Sequence, residues 1–164
     1  MSQRTRADTV WDDVATWIAT VGGLGHVPLA PGTWGSLVGL LVGAMSLRLV
    51  RAPSLIIILL AVAWCLGAFL CALAERELKR HDPPAVILDE VLGMASVVVV
   101  LPWAVSSWTR LAIAFLLFRA FDVSKPPPLR QLARLPGGWG IVADDLGAAA
   151  YTILILKLVA RLAS

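Results

Sequence analysis

Five carboxylates stand at the edges of apolar segments: the pair Asp89-Glu90, the single Asp122, and the pair Asp144-Asp145. Arg119 and Lys125 flank Asp122, three residues away on either side. Oxygen ligands of this kind suit a hard cation such as Mg²⁺. Lys and Arg hold phosphate oxygens through charge-assisted hydrogen bonds. A small-residue stretch, Pro31-Gly32-Thr33-Trp34-Gly35-Ser36, precedes an apolar segment, where backbone N–H groups can approach an anion at a helix N-terminus. Asp89, Glu90, Asp122, Asp144 and Asp145 are therefore candidate metal ligands and, with Lys125, candidate catalytic groups. Gly32, Thr33, Gly35, Ser36, Arg119 and Lys125 are candidate phosphate-binding residues. Together they describe a site for Mg²⁺ and a phosphate ester, in which the metal neutralises phosphoryl oxygens and can activate water.

Other chemistries fit less well. Cys65 and Cys71 lie in one apolar run, six apart and on different sides of a helix, so they read as buried small hydrophobes and not as a disulfide or metal pair. Neither cysteine sits in an anion-binding loop, which removes a cysteinyl-phosphate route. His26 and His81 lie in a loop and a charged run, in no nucleophile arrangement, and His26 alone does not make a metal site. The run Glu75–Asp82 reads as a solvated helix end. With a net charge of +3 and no long basic run, nucleic acid is a poor partner.

The elements that must position these groups are membrane helices. The chain is 59% hydrophobic, outside the usual soluble range, and of a length for one domain, taken as 1–164. Leu55–Ala74 carries no charge and as a helix would span about 30 Å, the hydrocarbon thickness of a bilayer. The expected fold is all-α: a compact membrane bundle of about four or five membrane-associated helices plus an N-terminal amphipathic helix. Crossings are expected near 37–50, 55–74, 91–106 (bent at Pro102), 110–121 and 146–162. Trp11, Val14, Ala15, Ile18 and Val21 recur at helical spacing, marking a short amphipathic helix that lies at the membrane interface or packs on the bundle. Asp8, Asp12 and Asp13 interrupt what would be the apolar core of a cleaved signal, so none is expected. The glycines and prolines of 22–36 predict a loop, as does Gly137-Gly138-Trp139-Gly140, after which Asp144-Asp145 should open the last helix.

On that topology the loop 22–36, Asp89-Glu90 and the loop 122–145 emerge on one side. Arg4, Arg6, Arg76, Lys79, Arg80, Lys125, Arg130 and Arg134 share that side, while Arg48, Arg51, Arg110 and Arg161 lie opposite. The positive-inside rule makes the first side cytoplasmic.

The segments GLGHVPLAPGTWGSL, ILDEVLGM and FRAFDVSKPPPLRQLARLPGGWGIVADD, in this order and spacing, resemble the three motif blocks of the phosphatidylglycerophosphatase A family. The resemblance covers most of Gly22–Ala148. It implies a Mg²⁺-dependent lipid phosphatase that hydrolyses phosphatidylglycerophosphate to phosphatidylglycerol and phosphate, with its active site on the cytoplasmic face of a multi-pass protein in the bacterial inner membrane. Its functional residues would be Thr33, Asp89, Glu90, Asp122, Lys125, Asp144 and Asp145. The resemblance also implies one central helix ringed by others, so that some short apolar segments would be core helices. Ala133 and Leu135-Pro136 depart from the pattern, replacing a stretch that carries an acid in many relatives, and no acid is expected to act there. Two rival readings are a small cation transporter or channel, disfavoured because the acids flank the spans, and a lipid head-group phosphotransferase, whose spaced Asp-Gly…Ala-Arg…Asp pattern is absent. Nothing in the sequence fixes the oligomeric state.

Overall fold

Leu88–Val100 (α4) is apolar on every side after its first turn, and a helix of that kind must be buried all round. It is. In the computed structural model, which describes residues 6–162, every residue from Val91 to Val98 is buried. Four helices surround it: Pro31–Leu49 (α2), Pro53–Glu77 (α3), Trp108–Ser124 (α5) and Gly138–Leu162 (α7). Arg6–Ala19 (α1) lies on α3, and the single turn Leu129–Leu132 (α6) lies on α7. No strand occurs among the described residues. Of the charges used for the topology, Arg4 and the side chain of Arg6 lie outside the described residues, as does the side chain of Asp8.

Two helices, Pro31–Leu49 and Pro53–Glu77, are long and apolar enough to cross a membrane, and only 28% of each apolar window is buried inside the bundle. Ile57, Leu59, Leu66 and Phe69 of α3 face outward, a membrane-associating surface and not a core. α4 is shorter than the expected third crossing. It stops at Val100, and Pro102–Ser106 forms a 3₁₀ segment, because proline cannot continue the hydrogen-bond ladder. Cys71 is buried as expected, but Cys65 lies on the exposed face of α3.

Two local expectations are corrected. Residues 31–36 are not loop but the first turns of α2, which starts on Pro31 in the favoured first-turn position. The glycines that argued against a helix serve its packing. Gly32, Gly35, Gly39 and Gly43 share the face turned to α4. A Cβ on Gly39 would run into the Val91 backbone, and one on Gly43 would come within 2.8 Å of Val98 Cβ. Likewise α7 begins at Gly138, where a Cβ would collide with the Ala68 carbonyl of α3, so Asp144-Asp145 lie two turns inside the helix. The N-terminal helix is present as expected and packs on the bundle: α1 turns Ala15 and Ala19 toward α3 and leaves Trp11, Val14 and Trp17 exposed.

Candidate functional site

One end of the bundle brings four helices together around a polar cavity of about 310 Å³. α4 contributes Asp89 and Glu90, α5 contributes Arg119 and Asp122, and α7 contributes Asp144 and Asp145. α2 contributes Pro31 and Gly32, and Lys125 closes the end of α5. All five carboxylates singled out in the sequence line this one cavity.

Each group is held by its local chain. Asp89 and Glu90 occupy the first turn of α4, where the helix dipole favours negative charge, and the N-cap position itself is Ile87, which offers no side-chain cap. Arg119 pairs with Asp122 one turn on, lies 3.9 Å from Glu90 Oε1, and donates to Ser36 Oγ at 3.5 Å. One guanidinium thus ties α5 to both α4 and α2. Lys125 caps α5 in the left-handed region (φ 42), donating its N–H to the Phe121 carbonyl at 2.8 Å. Pro126–Pro128 follow and forbid any further helix. The turn aims the Lys125 ammonium at Asp144, with which it pairs.

The acids therefore divide. Asp122 and Asp144 are matched with cations. Asp89, Glu90 and Asp145 instead bring carboxylate oxygens within 4.8 Å of one another. Burial, reinforced by neighbouring carboxylates, pushes Asp89 and Asp145 well above the usual carboxylate range. Burial raises Glu90 to about 7, against the pull of Arg119. For Asp144, burial outweighs the bond to Lys125, so its carboxyl also stays raised. Burial would lower the Lys125 ammonium, but the Asp144 carboxylate overcomes it and the net shift is upward.

Four buried oxygens have no hydrogen-bond partner: Asp89 Oδ1, Glu90 Oε2, Asp144 Oδ1 and Asp145 Oδ2. Buried oxygens without partners are costly, and a hard divalent cation would satisfy them. The donor set is all oxygen, which fits Mg²⁺ and not a soft transition metal.

Gly32 is the member of the small-residue stretch that lines the cavity. A Cβ there would strike the Glu90 carboxylate and the Arg119 guanidinium. Thr33, Gly35 and Ser36 are not among the lining residues. Gly35 faces the Ile87 carbonyl of α4, and the Ser36 hydroxyl donates to the Gly32 carbonyl at 2.8 Å. Asp82 was missed. Taken as part of a solvated run, it forms a cavity wall with Pro83 and Pro84, held at φ 46. No sequence signal marked it: a residue before proline is expected in extended backbone, and Asp82 instead takes the left-handed region. His26 is exposed and outside the cavity lining.

The family model described as Phosphatidylglycerophosphatase A matches residues 17–160. The Haemophilus influenzae phosphatidylglycerophosphatase A is 36% identical over 135 residues, covering 82% of this chain and 81% of the relative. Its Escherichia coli namesake is 31% identical over 138 residues, covering 84% and 78%. A Bacteroides thetaiotaomicron protein with the provisional name phosphatidylinositol-3-phosphatase is 30% identical over 144 residues, covering 86% and 90%. No solved structure matches. Fold, cavity and these matches define the class, a helical-bundle phosphatase. Within it, the chain belongs to the phosphatidylglycerophosphatase A family.

Proposed function

We propose that this enzyme hydrolyses the terminal phosphate of phosphatidylglycerophosphate, releasing phosphatidylglycerol and inorganic phosphate, with Mg²⁺ as cofactor, at the cytoplasmic face of the bacterial inner membrane. The observation that carries the reading is the division of the acids: Asp89, Glu90 and Asp145 converge, with Arg119 reaching only Oε1 of Glu90 at 3.9 Å, while Asp122 and Asp144 are closely paired with Arg119 and Lys125. Asp89, Glu90 and Asp145 would hold the ion, with the unsatisfied oxygen of Asp144 beside them. Bound there, Mg²⁺ would supply charge neutralisation for the phosphoryl oxygens and acidify a water.

The protein's own groups supply the rest. Arg119 and Lys125 hold the phosphate, each kept in place by its carboxylate partner, so little reorganisation is needed as charge develops. Asp122 and Asp144 are positioning residues that orient those cations. The first turn of α2, at Gly32, brings its positive dipole end to the cavity. Pro83 and Pro84 form a rigid wall that keeps Asp82 at the mouth.

The test is phosphate release from phosphatidylglycerophosphate by the purified protein, with and without Mg²⁺, beside phosphatidylinositol 3-phosphate. Preferred, Mg²⁺-dependent release from the first is expected. Full turnover in excess chelator, with metal removal verified, would sink the metal assignment, and preference for the inositide would move the substrate assignment.

A further inference from the structure

Because α2 presses its glycine face on α4, it touches α5 little, and an open groove runs between α2 and α5. Its upper part has a volume of about 680 Å³ and is lined by apolar residues, among them Trp34, Leu37 and Leu41 of α2 and Trp108, Ala112 and Phe115 of α5. A second cavity of about 370 Å³ shares Leu40, Leu41, Trp108 and Leu111 with it and continues to Met45, Arg48 and Ser106. From Trp34 to Arg48 the groove follows α2 for about 21 Å at 1.5 Å per residue, most of a bilayer's hydrocarbon thickness. Its upper end points toward the phosphate cavity without sharing a lining residue with it: Arg119 of the cavity lies one turn beyond Phe115 of the groove on the same face of α5.

We propose that this groove holds one acyl chain of the lipid whose phosphate occupies the cavity. The proposal rests on the lipid-phosphatase reading above. The order of surfaces favours a lipid over a peptide or a second copy of the chain: a charged cavity comes first, then an apolar trough, then a polar end at Arg48 and Ser106. A phospholipid matches the first two, a charged head group followed by an apolar chain, with Arg48 and Ser106 closing the trough beyond the chain's end. A chain seated there fixes the phosphate against Arg119 and Lys125 by proximity. Ala112 matters most, because its small side chain leaves the trough open beside Leu37 and Leu41.

Ala112→Trp would fill the groove, and Ile57→Trp would add similar bulk on the exposed face of α3 as a control. Dioleoyl phosphatidylglycerophosphate and its deacylated head group, glycerophosphoglycerophosphate, are the two substrates, assayed in detergent micelles. Ala112→Trp should lower the ratio of long-chain to deacylated kcat/KM about tenfold, mainly through KM, while Ile57→Trp leaves it unchanged. Should Ala112→Trp fail to fold, Ala112→Leu should lower the same ratio by a smaller factor. Unchanged ratios in the folded groove variants overturn the groove and leave the phosphatase reading standing. If the unsubstituted enzyme releases phosphate from neither substrate, the phosphatase reading fails. The groove is then decided by cross-linking with a phosphatidylglycerol whose acyl chain carries a diazirine. Adducts concentrated on Leu37–Leu41 and Ala112–Leu116 support it. Adducts scattered over the exposed faces of α3 and α7, or links between two copies of the chain at the groove, overturn it.

Discussion

Lys125 and Asp144 show how charge and role can be separated at single residues. The Lys125 side chain is 31% exposed while that of Asp144 is 5% exposed, so the cation can face a substrate and its partner cannot. Removing a preorganised cation from a developing charge costs roughly 10²–10³ in rate. Lys125→Ala should therefore lose that much kcat, and Lys125→Arg should recover part of it, since a guanidinium is larger and differently shaped. Arg130→Ala is the comparison. Its guanidinium reaches only the Ser124 carbonyl, at 3.4 Å, and its loss should be small. Lys125→Ala also strands a buried carboxylate, so melting temperature should fall. Adding Asp144→Asn should restore melting temperature without restoring turnover. Equal, small losses for Lys125→Ala and Arg130→Ala would place Lys125 on the solvated surface.

Asp145 has the opposite balance. Its raised carboxyl and unpartnered oxygen weigh against the stability of the metal-free protein, and under the proposed function metal binding offsets that cost. Asp145→Asn should raise the melting temperature in chelator, abolish turnover, and remove the stabilisation that Mg²⁺ gives the unsubstituted enzyme. The acids also set a pH dependence. A carboxyl whose folded pKa is raised contributes stability at low pH, and that contribution is lost as pH rises through the folded value. In chelator, melting temperature should accordingly fall as pH rises from the ordinary range of Glu90, near 4.5, through about 7. Excess Mg²⁺ should flatten that slope. A flat profile in chelator would mean that these acids are hydrated and not buried.

At the scale of elements, the fit of α2 to α4 decides whether the cavity has its fourth wall. Gly39→Ala sets a methyl against the Val91 backbone, which cannot rotate away, and overpacking of this kind costs about 1–3 kcal/mol. Pushing α2 outward also stretches the Arg119–Ser36 contact, so activity should fall with stability. Gly23→Ala is the control, with a strained φ of 88 but nothing within 4 Å of the new methyl, and it should cost only about 1 kcal/mol and little activity. Equal effects of the two would mean that α2 is not pressed on α4. The same glycines explain what the sequence left illegible. The apolar run of α3 and all five cavity acids were readable, whereas α4 read as a third crossing and its central place was only implied by the resemblance. Hydrophobic runs and isolated carboxylates declare themselves locally. Gly32 to Gly43 and Gly138 did not, since one sequence cannot tell a glycine that frees a turn from one that admits a neighbouring backbone. The helical periodicity of Trp11, Val14, Ala15 and Ile18 left one thing open: it finds an apolar face, but not whether alanines or tryptophans take the protein side. Asp82 was hidden by its charged neighbours.

For the whole molecule, the proposed orientation makes the cavity end cytoplasmic. With Cys65 and Cys71 replaced by alanine, single cysteines at Lys79 and Arg130 should resist an impermeant thiol reagent in intact cells, and one at Arg51 should react. Labelling of one of the two cavity-end positions without lysis would break the shared-face assignment. The recess of the acids has a consequence for how a lipid is handled. Asp145 lies about 10 Å along α7 from its start at Gly138, at 1.5 Å per residue. The acids are therefore set back from the start of α7, and in the proposed orientation that recess brings them toward the depth at which head-group phosphates would lie. An enzyme whose acids stood at the tip of the bundle would have to lift its substrate toward water, losing about 0.8 kcal/mol for every methylene withdrawn. Acids set back in this way let the phosphate be met at its own level, so extraction work drops out of the barrier and the lipid can arrive by lateral diffusion alone.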